Sequence, residues 1–261
     1  MKTEILYGIH PVIEALRAGR RNFVEIYLTK NTPSKRLKNA AALADSLNIP
    51  VKTIRPSQLE SMTGTPMHQG IGAMVSPYPV AGLADIIDTF KYGDADPFLL
   101  LLDNIIDPYN LGALVRTGVS AGVDGIIVTK DRSSSPTPTV SKASAGALEH
   151  IFLARVSNMV NTIKALKEKG VWIVGLEKSA DQPIFSSDFK CPVAIVIGGE
   201  QKGIRPLVKK NCDLLFSIPQ TGKIDSLNAS VAGAVVMYEV LRQREYNKKN
   251  VHNTVNSKGF L

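Results

Sequence analysis

The sequence has few of the residues that most catalytic and metal centres need. Of its 261 residues, only two are cysteines, Cys191 and Cys212, and only four are histidines. The cysteines lie far apart and form no CxxC motif, so the sequence indicates neither a disulfide framework nor a zinc site. It also shows no Ser/His/Asp arrangement and no convincing pair of catalytic carboxylates. These absences argue against a hydrolase and against metal chemistry.

Long hydrophobic runs and nucleotide-binding glycine fingerprints are missing as well. No apolar stretch approaches the roughly 20 residues that span a bilayer, and the first residues carry no signal-peptide pattern. We therefore expect a cytoplasmic protein with no membrane partner and no metal. Neither the order GxGxxG nor the order GxxxxGK followed by Ser or Thr occurs. A nucleotide-dependent oxidoreductase is disfavoured for that reason.

Positive charge is abundant, and it is concentrated at the two ends of the chain. The net charge is +8. Residues 1–80 hold 10 Lys and Arg against 5 Asp and Glu, and residues 241–261 hold 5 against 1, whereas residues 81–240 hold 16 against 17. A polyanion such as nucleic acid is attracted by the ends, and the neutral middle has another task.

Hydrophobic patterning predicts an α/β protein. The strongest predicted strands are short continuous apolar runs separated by helical segments, at residues 98–102, 126–128, 172–175 and 193–197. Buried strands that alternate with helices indicate a parallel sheet covered on both faces. The last helix is predicted from about residue 227 to residue 245.

The chain is long enough for two domains. Residues 1–78 are predicted as a small basic α/β module, residues 79–96 as a linker, residues 97–246 as the main domain, and residues 247–261 as a polar, disordered tail. In the module, Pro11 and Gly19 mark the start and the end of a helix. Strands are predicted at residues 24–28, 51–54 and 70–75.

Three polar clusters follow predicted strands of the main domain, where ligands bind in open parallel sheets. The first runs from Asp103 to Thr117 and offers Asn110 as a helix cap and Gly112 for close packing. The second, residues 197–204, places Glu200 among glycines, and a glutamate there disfavours a phosphate ligand. The third, residues 218–235, combines a Ser-Leu-Asn-x-Ser run with a helix of small residues.

Each cluster also has a purely structural interpretation. Arg116 is equally consistent with a surface salt bridge, and the glycines of the second cluster with a plain tight turn. Ser226 is a candidate N-cap as well as a candidate ligand residue, and Leu227 a candidate core residue. Asp107 before Pro108 is typical of a turn rather than of a metal site.

The three clusters resemble motifs of the SpoU/TrmH family of RNA ribose 2′-O-methyltransferases, in the SPOUT superfamily. The first motif appears as Asn104, then Asp-Pro-Tyr-Asn-Leu-Gly at 107–112, then Arg116. The second appears as Gly-Gly-Glu-Gln-Lys-Gly at 198–203. The third appears as Ile-Pro-Gln-Thr-Gly at 218–222 with Ser-Leu-Asn-Ala-Ser at 226–230; Gln220 stands where the family usually has Met. The segments around residues 7–16 and 68–73 are similar to the family's small RNA-binding domain.

The resemblance implies an α/β knot, a trefoil-knotted catalytic domain, preceded by an L30e-like α/β domain. It implies S-adenosyl-L-methionine as the cofactor, held by Gly198, Ile218, Ser226 and Leu227. It also implies a homodimer, for which the small residues Ala229, Ala232 and Gly233, with Val236, suit tight packing. The family's catalytic positions correspond here to Arg116, Asn110, Glu200 and Asn228.

The implied substrate is structured RNA, and the two-domain form is most similar to members that methylate a guanosine of 23S ribosomal RNA. The basic module is expected to grip RNA phosphates through Arg17, Arg20, Arg21, Lys35 and Arg36. Three alternatives stay open at this point. They are a tRNA ribose methyltransferase, an rRNA-adenosine methyltransferase of the same family, and a non-catalytic RNA-binding protein.

Overall fold

The structure, a computed structural model, describes residues 2–30, 34–90, 96–223 and 226–256, with the side chains of the last helix described as far as residue 245. The chain divides into two compact units. The first consists of Met1–Val80, Asp107–Arg116 and Ser135–Ile151, and the second of Ala81–Ile106, Thr117–Ser134 and Phe152–Leu261. The domain boundaries drawn from the sequence stay a prediction, and the end of the predicted tail, 257–261, lies outside the described residues.

A four-stranded mixed sheet forms the centre of the first unit. Its strands are β1 (Glu4–Tyr7), β2 (Phe23–Thr29), β3 (Val51–Ile54) and β4 (Ile71–Val75). They lie in the order β1-β4-β2-β3, with β4 antiparallel to both β1 and β2, and β2 parallel to β3. The helices of this unit are α1 (Ile9–Ala18), α2 (Lys35–Ser46), α3 (Pro56–Thr63) and α6 (Pro138–Ala143), followed by a 3₁₀ turn (Ala147–His150).

Helix α1 shows how the sequence pattern builds the core of the first unit. Val12, Ala15 and Leu16 recur at the spacing of one helical face and are buried. They belong to one apolar cluster with β-strand residues such as Ile26. The helix ends at Gly19, whose φ of 62° lies in the left-handed region that glycine adopts without strain. The predicted end of this helix is thus confirmed.

The second unit contains a six-stranded sheet that is parallel throughout. Its strands are β5 (Phe98–Asp103), β6 (Gly125–Thr129), β7 (Phe152–Val156), β8 (Trp172–Leu176), β9 (Val193–Gly198) and β10 (Leu214–Phe216). They lie in the order β10-β8-β9-β5-β6-β7. Every residue of β5 is buried, which explains its continuous apolar run. The predicted parallel α/β architecture is confirmed.

Helices connect the strands of the second unit, as the alternation predicted. They are α4 (Leu83–Ile87), α7 (Met159–Glu168), α8 (Pro206–Lys210) and α9 (Ala229–Asn256). Helix α5 (Pro108–Ser120) contributes its first turns to the first unit and its end to the second. Among the described residues, each helix is too short or too polar to cross a membrane.

The sequence patterns missed four short elements: β1, α3, β7 and β10. Strand β10 has only three residues, and the charged Arg155 interrupts the apolar pattern of β7. Helix α9 was predicted to end at residue 245 but continues to Asn256. Short or partly polar segments such as these take their structure from neighbours in the sheet rather than from their own propensity.

The small residues of α9 do not form a free face, contrary to the expectation from the sequence. Val236 has no exposed surface, and Gly233 is buried as well, so both pack inside the protomer. The exposed side of α9 carries instead Val231, 47% exposed, and Tyr238, 51% exposed, with Val235 between them at helical spacing.

A buried ion pair stabilises the first unit. The guanidinium of Arg21 donates from Nε and Nη2 to the two carboxylate oxygens of Glu149 at 2.7 and 2.9 Å, and both side chains are fully buried. Glu4 also pairs with Arg21, and the hydroxyl of Ser141 donates to Glu149 at 2.8 Å. Burial alone lowers the pKa of Arg21, but Glu149 and Glu4 raise it above its usual value. Arg21 therefore stays charged.

Replacing Arg21 should destabilise the fold strongly. Arg21→Met leaves the carboxylate of Glu149 buried without its partner, and we expect the free energy of unfolding to fall by about 3 kcal/mol or more. The matched control is Arg17→Met, which removes an exposed pair with Glu14 and should cost less than about 1 kcal/mol. Urea unfolding followed by circular dichroism measures both. Equal effects of the two variants would show that the buried pair is not a principal stabilising contact.

Candidate active site

The carboxyl ends of neighbouring strands in the second unit enclose a pocket of about 320 Å³. Strands β8, β9 and β10 end at this edge of the sheet, which is where parallel sheets bind ligands. The residues that line the pocket come from the segments after these strands and from the start of α9. They are Leu176, Glu177, Lys178, Ile197, Gly198, Gly199, Glu200, Lys202, Gly203, Phe216, Ile218, Gln220, Ser226, Leu227, Ala229 and Ala232.

The turn after β9 requires its glycines because backbone packs directly on backbone. The amide of Gly203 donates to the carbonyl of Gly199 at 2.9 Å, and Gly203 has a φ of 62°. A Cβ on Gly198 would lie 2.0 Å from the carbonyl carbon of Gly203, and one on Gly199 would lie 2.3 Å from the carbonyl oxygen of Asn104. The segment is a tight turn, as one interpretation of the sequence held, and it also lines the pocket.

A buried carboxylate holds this turn in place. Asp103, at the end of β5, has no exposed surface. Its carboxylate accepts hydrogen bonds from Arg205, from the backbone amide at 2.9 Å and from Nε at 2.8 Å, and Nη2 lies 2.6 Å away. The backbone amide of Gly199 donates to the carbonyl of Asp103 at 2.9 Å. Asp103 is thus a structural residue. Among the described residues, no cluster of potential metal ligands occurs.

Asn104 follows Asp103 in a strained conformation. Its φ is 66°, in the left-handed region, which asparagine tolerates better than most residues. Its Oδ1 is buried and has no hydrogen-bond partner among the described residues. Strain and an unsatisfied polar atom at one residue are features that proteins keep mainly at functional positions.

The first turn of α5 carries Asn110, and Arg116 lies two turns further along. The cap of this helix is Asp107, whose carboxylate accepts a hydrogen bond from the amide of Tyr109 at 3.0 Å. The prediction that Asn110 is the cap is therefore wrong, because the helix begins at Pro108. Arg116 and Tyr109 are exposed and seven residues apart, so they lie on the same face of α5.

Gly112 lets α5 pack closely within the first unit, as the sequence suggested. A Cβ at this position would lie 2.4 Å from the Cβ of Ala143. Any larger residue would push the two segments apart.

The start of α9 places the third motif beside the pocket. Asn228 caps the helix, because its Oδ1 accepts hydrogen bonds from the amide of Ser230 at 2.8 Å and from the hydroxyl of Ser230 at 2.6 Å. Ser226 was a candidate for this cap, but the cap falls two residues later. Ser226 and Leu227 line the pocket instead, and Leu227 is 39% exposed rather than part of the core. Residues 224 and 225 lie outside the described part of the chain.

The five basic residues expected to contact RNA fall into two groups. Arg17, Lys35 and Arg36 are exposed, and Arg36 Nη1 lies 3.4 Å from Nε2 of His10. Arg20 and Arg21 have structural contacts. Arg20 is half-buried, donates to the carbonyl of Ile151 at 2.5 Å and stacks over the ring of Tyr78 at 5.4 Å. The expectation that Arg21 contacts RNA is corrected, because its guanidinium is buried against Glu149.

Five of the eight predicted catalytic and cofactor residues thus line one pocket: Gly198, Glu200, Ile218, Ser226 and Leu227. Asn228 caps the adjoining helix, and Asn110 and Arg116 lie on α5 in the first unit. Gln220 lines the pocket, as its place in the motif indicated.

Sequence reasoning missed one charged segment of the pocket, Glu177-Lys178 after β8. The carboxylate of Glu177 forms an ion pair with Lys209 at 2.9 Å. Burial raises the pKa of Glu177, but the Lys209 ion pair and hydrogen bonds from Ser179 outweigh burial and lower it. The available signal was the position of these residues at the end of a predicted strand.

Alanine at Gly198 should disrupt the turn after β9. The added Cβ overlaps the backbone of Gly203, so we expect the free energy of unfolding to fall by more than about 2 kcal/mol. Gly122→Ala is the control, since Gly122 has a φ of 78° with open space around it and loses only about 1 kcal/mol through strain. Thermal unfolding compares the two. A smaller loss for Gly198→Ala than for the control would contradict the close packing of this turn.

Comparison with known proteins gives two family matches. The SpoU rRNA Methylase family matches residues 97–238, and the family described as RNA 2′-O ribose methyltransferase substrate binding matches residues 5–81. Among solved structures, the SpoU methyltransferase AviRb from Streptomyces viridochromogenes in complex with AdoMet superposes with a TM-score of 0.78 at 24% identity, over 94% of this chain and 91% of that chain. At this identity the likeness concerns the fold.

Curated relatives are similar over almost the whole length. The chain is 39% identical over 241 residues to the putative TrmH family tRNA/rRNA methyltransferase YacO of Bacillus subtilis (strain 168), covering 92% of this chain and 96% of the relative. It is 39% identical over 243 residues to the 23S rRNA (guanosine-2′-O-)-methyltransferase RlmB of Shewanella oneidensis, covering 93% and 98%. With its second and third motifs gathered at one edge of a parallel sheet, the chain belongs to the SpoU rRNA methylase family of RNA ribose 2′-O-methyltransferases.

Proposed function

We propose that this enzyme transfers the methyl group of S-adenosyl-L-methionine to the ribose 2′-hydroxyl of a guanosine in 23S ribosomal RNA. The observation that carries the proposal is the pocket at the carboxyl edge of the sheet, which the second and third family motifs line together. The similarity to relatives named as 23S rRNA guanosine methyltransferases supports the choice of RNA and nucleoside.

The residues of the pocket fit the cofactor. Its volume of about 320 Å³ lies in the range of small-molecule sites. Glycine backbone at Gly198 leaves no side chain between a ligand and the main chain, whose amides and carbonyls can read an adenine edge. Gly198, Ile218, Ser226 and Leu227 are the residues we assign to holding it. When bound, S-adenosylmethionine supplies a methyl group on a positively charged sulfur that an oxygen can attack in line.

Arg116 is assigned to the chemistry at the ribose. A guanidinium keeps its proton in proteins, so it is not the group that removes the proton of the 2′-hydroxyl. Its role is to bind the neighbouring RNA phosphate and to stabilise the negative charge that develops on the attacking oxygen. Asn110 positions the ribose, and Glu200 and Asn228 orient the target nucleotide. The proton passes to phosphate or water.

RNA binding is assigned to the exposed basic surface of the first unit. Arg17, Lys35 and Arg36 present charge to solvent, and Arg20 contributes a partly exposed guanidinium. The match of residues 5–81 to a family of substrate-binding domains supports this assignment, and it supports an L30e-like fold for the module. Cytoplasmic localisation follows from a ribosomal RNA substrate.

A knotted catalytic domain and a homodimer complete the proposal, and both rest on family membership. The exposed stripe of Val231, Val235 and Tyr238 on α9 is the apolar surface we assign to the partner protomer. Of the small residues expected from the sequence to pack there, Gly233 and Val236 are buried within the protomer and Ala232 lines the pocket.

Methyl transfer from labelled S-adenosylmethionine to 23S rRNA fragments and to bulk tRNA tests the substrate. We expect label in a 23S fragment, recovered as 2′-O-methylguanosine after nucleoside analysis. Label in tRNA would make the enzyme a tRNA ribose methyltransferase of the same family, and label in 2′-O-methyladenosine would make it a methyltransferase of an adenosine. Absence of both label and cofactor binding would leave a non-catalytic RNA-binding protein.

Arg116→Ala should reduce kcat by about 10²-fold or more while cofactor affinity stays the same, because charge stabilisation is lost only in the transition state. Single-turnover methylation and calorimetry with S-adenosylhomocysteine measure the two quantities. Lys164→Ala, on the exposed side of α7, is the control and should change neither. A parallel collapse of cofactor affinity in Arg116→Ala would make Arg116 structural.

Removing the charges of Lys35 and Arg36 should weaken RNA binding equally for all sequences. The logarithm of the affinity falls linearly with the logarithm of the salt concentration, and each lost phosphate contact makes this negative slope shallower by about one. Filter binding at several salt concentrations compares the Lys35→Ala/Arg36→Ala variant with the wild type. An unchanged slope would show that RNA binds to another surface.

A further inference from the structure

The pocket contains a carboxylate for which the proposed reaction has no use. Glu177 follows β8, the strand that pairs with β9, and it lines the pocket together with its neighbours Leu176 and Lys178. Glu200, which also lines the pocket, is already assigned to the target nucleotide. Glu177 therefore requires an explanation of its own.

Its surroundings fix the carboxylate and leave it able to accept further hydrogen bonds. The backbone amide of Glu177 donates to the carbonyl of Phe216 at 2.9 Å, which ties the residue to β10. Oε2 pairs with Lys209 at 2.9 Å, whereas Oε1 has, within the described part of the chain, the longer contacts with Ser179, at 3.3 Å from Oγ and 3.5 Å from the amide. A carboxylate has about four acceptor positions, so Oε1 has capacity left.

The chemistry of the ligand supplies matching donors. The adenosine part of S-adenosylmethionine carries a 2′- and a 3′-hydroxyl on its ribose and has no phosphate that a carboxylate would repel. In parallel α/β sheets that bind nucleotides, an acidic side chain near the end of a neighbouring strand commonly accepts hydrogen bonds from such a ribose. Glu177 occupies that kind of position relative to the glycine turn after β9.

We propose that Glu177 binds the ribose hydroxyls of the cofactor and makes the pocket selective for ribonucleosides over deoxyribonucleosides. This inference rests on the proposed cofactor site. Glu177 is a binding residue and takes no part in methyl transfer. Lys209 pairs with the other carboxylate oxygen, Oε2, and takes no part in the recognition of the ribose.

Calorimetry with two ligands tests the inference without any need for activity. The ligands are 5′-methylthioadenosine and its 2′-deoxy counterpart, which differ by one hydroxyl. For the wild type we expect the ribonucleoside to bind about tenfold more tightly, the size of a good hydrogen bond to a charged group. In Glu177→Ala the two ligands should bind within about twofold of each other, with the affinity for the deoxy ligand unchanged. In Glu177→Gln, which keeps one acceptor oxygen, the ratio of the two affinities should lie between the ratio of the wild type and that of Glu177→Ala.

Lys209→Met distinguishes the effect of the carboxylate from the effect of the ion pair that the carboxylate forms with Lys209. This variant loses the same ion pair as Glu177→Ala but keeps the carboxylate, so the preference for the ribonucleoside should persist. Thermal unfolding shows whether each variant is folded.

A full preference for the ribonucleoside in a folded Glu177→Ala variant would overturn the inference and leave the cofactor site intact. Loss of preference in Lys209→Met equal to that in Glu177→Ala would also overturn it. Binding of neither ligand, nor of S-adenosylhomocysteine, to the wild type would overturn the cofactor site itself.

Discussion

The buried carboxylate of Asp103 is the contact on which the site depends. It lies at the end of the fully buried strand β5 and receives the backbone and the guanidinium of Arg205. An ionised group without exposed surface is tolerated only when it is fully hydrogen-bonded, so the position of Arg205 is determined closely. Arg205 directly follows the segment Gly199–Ile204, so its position also determines where the tight turn after β9 ends. The part of the lining that the turn after β9 contributes is therefore held by a residue that does not itself line the pocket.

Direct packing of backbone on backbone explains the composition of the pocket. Glycines after β9 leave no room for Cβ atoms, so main chain forms the wall of the pocket there, and few side chains remain to contact a ligand. Those include Glu177 and Glu200, at the ends of adjacent strands β8 and β9. The lining also includes Lys178 and Lys202, so the acidic and basic side chains of its described residues balance, and the two carboxylates serve as local hydrogen-bond acceptors.

In the first unit, similar arginines have different tasks. Arg21 is buried against Glu149 and stabilises the fold, whereas six tenths of the side chain of Arg17 is exposed. A count of charges treats the two arginines alike, and only burial distinguishes them. The surface proposed to bind RNA is therefore smaller than the composition of the N-terminal region indicates, and it consists of the exposed basic residues of α1 and α2.

The α/β class, most of the strands and the three motif segments could be predicted from the sequence, because apolar runs and glycine positions are local signals. Five residues that line the pocket were also identified in this way. Contacts between distant segments, in contrast, become visible only in the folded chain. Arg21 pairs with Glu149 across 128 positions, Arg205 with Asp103 across 102, and Glu177 reaches the pocket only because β8 lies beside β9. The helix caps also differ from those predicted: Asp107 caps α5 where Asn110 was predicted, and Asn228 caps α9 where Ser226 was a candidate. The exact start of a helix depends on which side chain reaches its free amides.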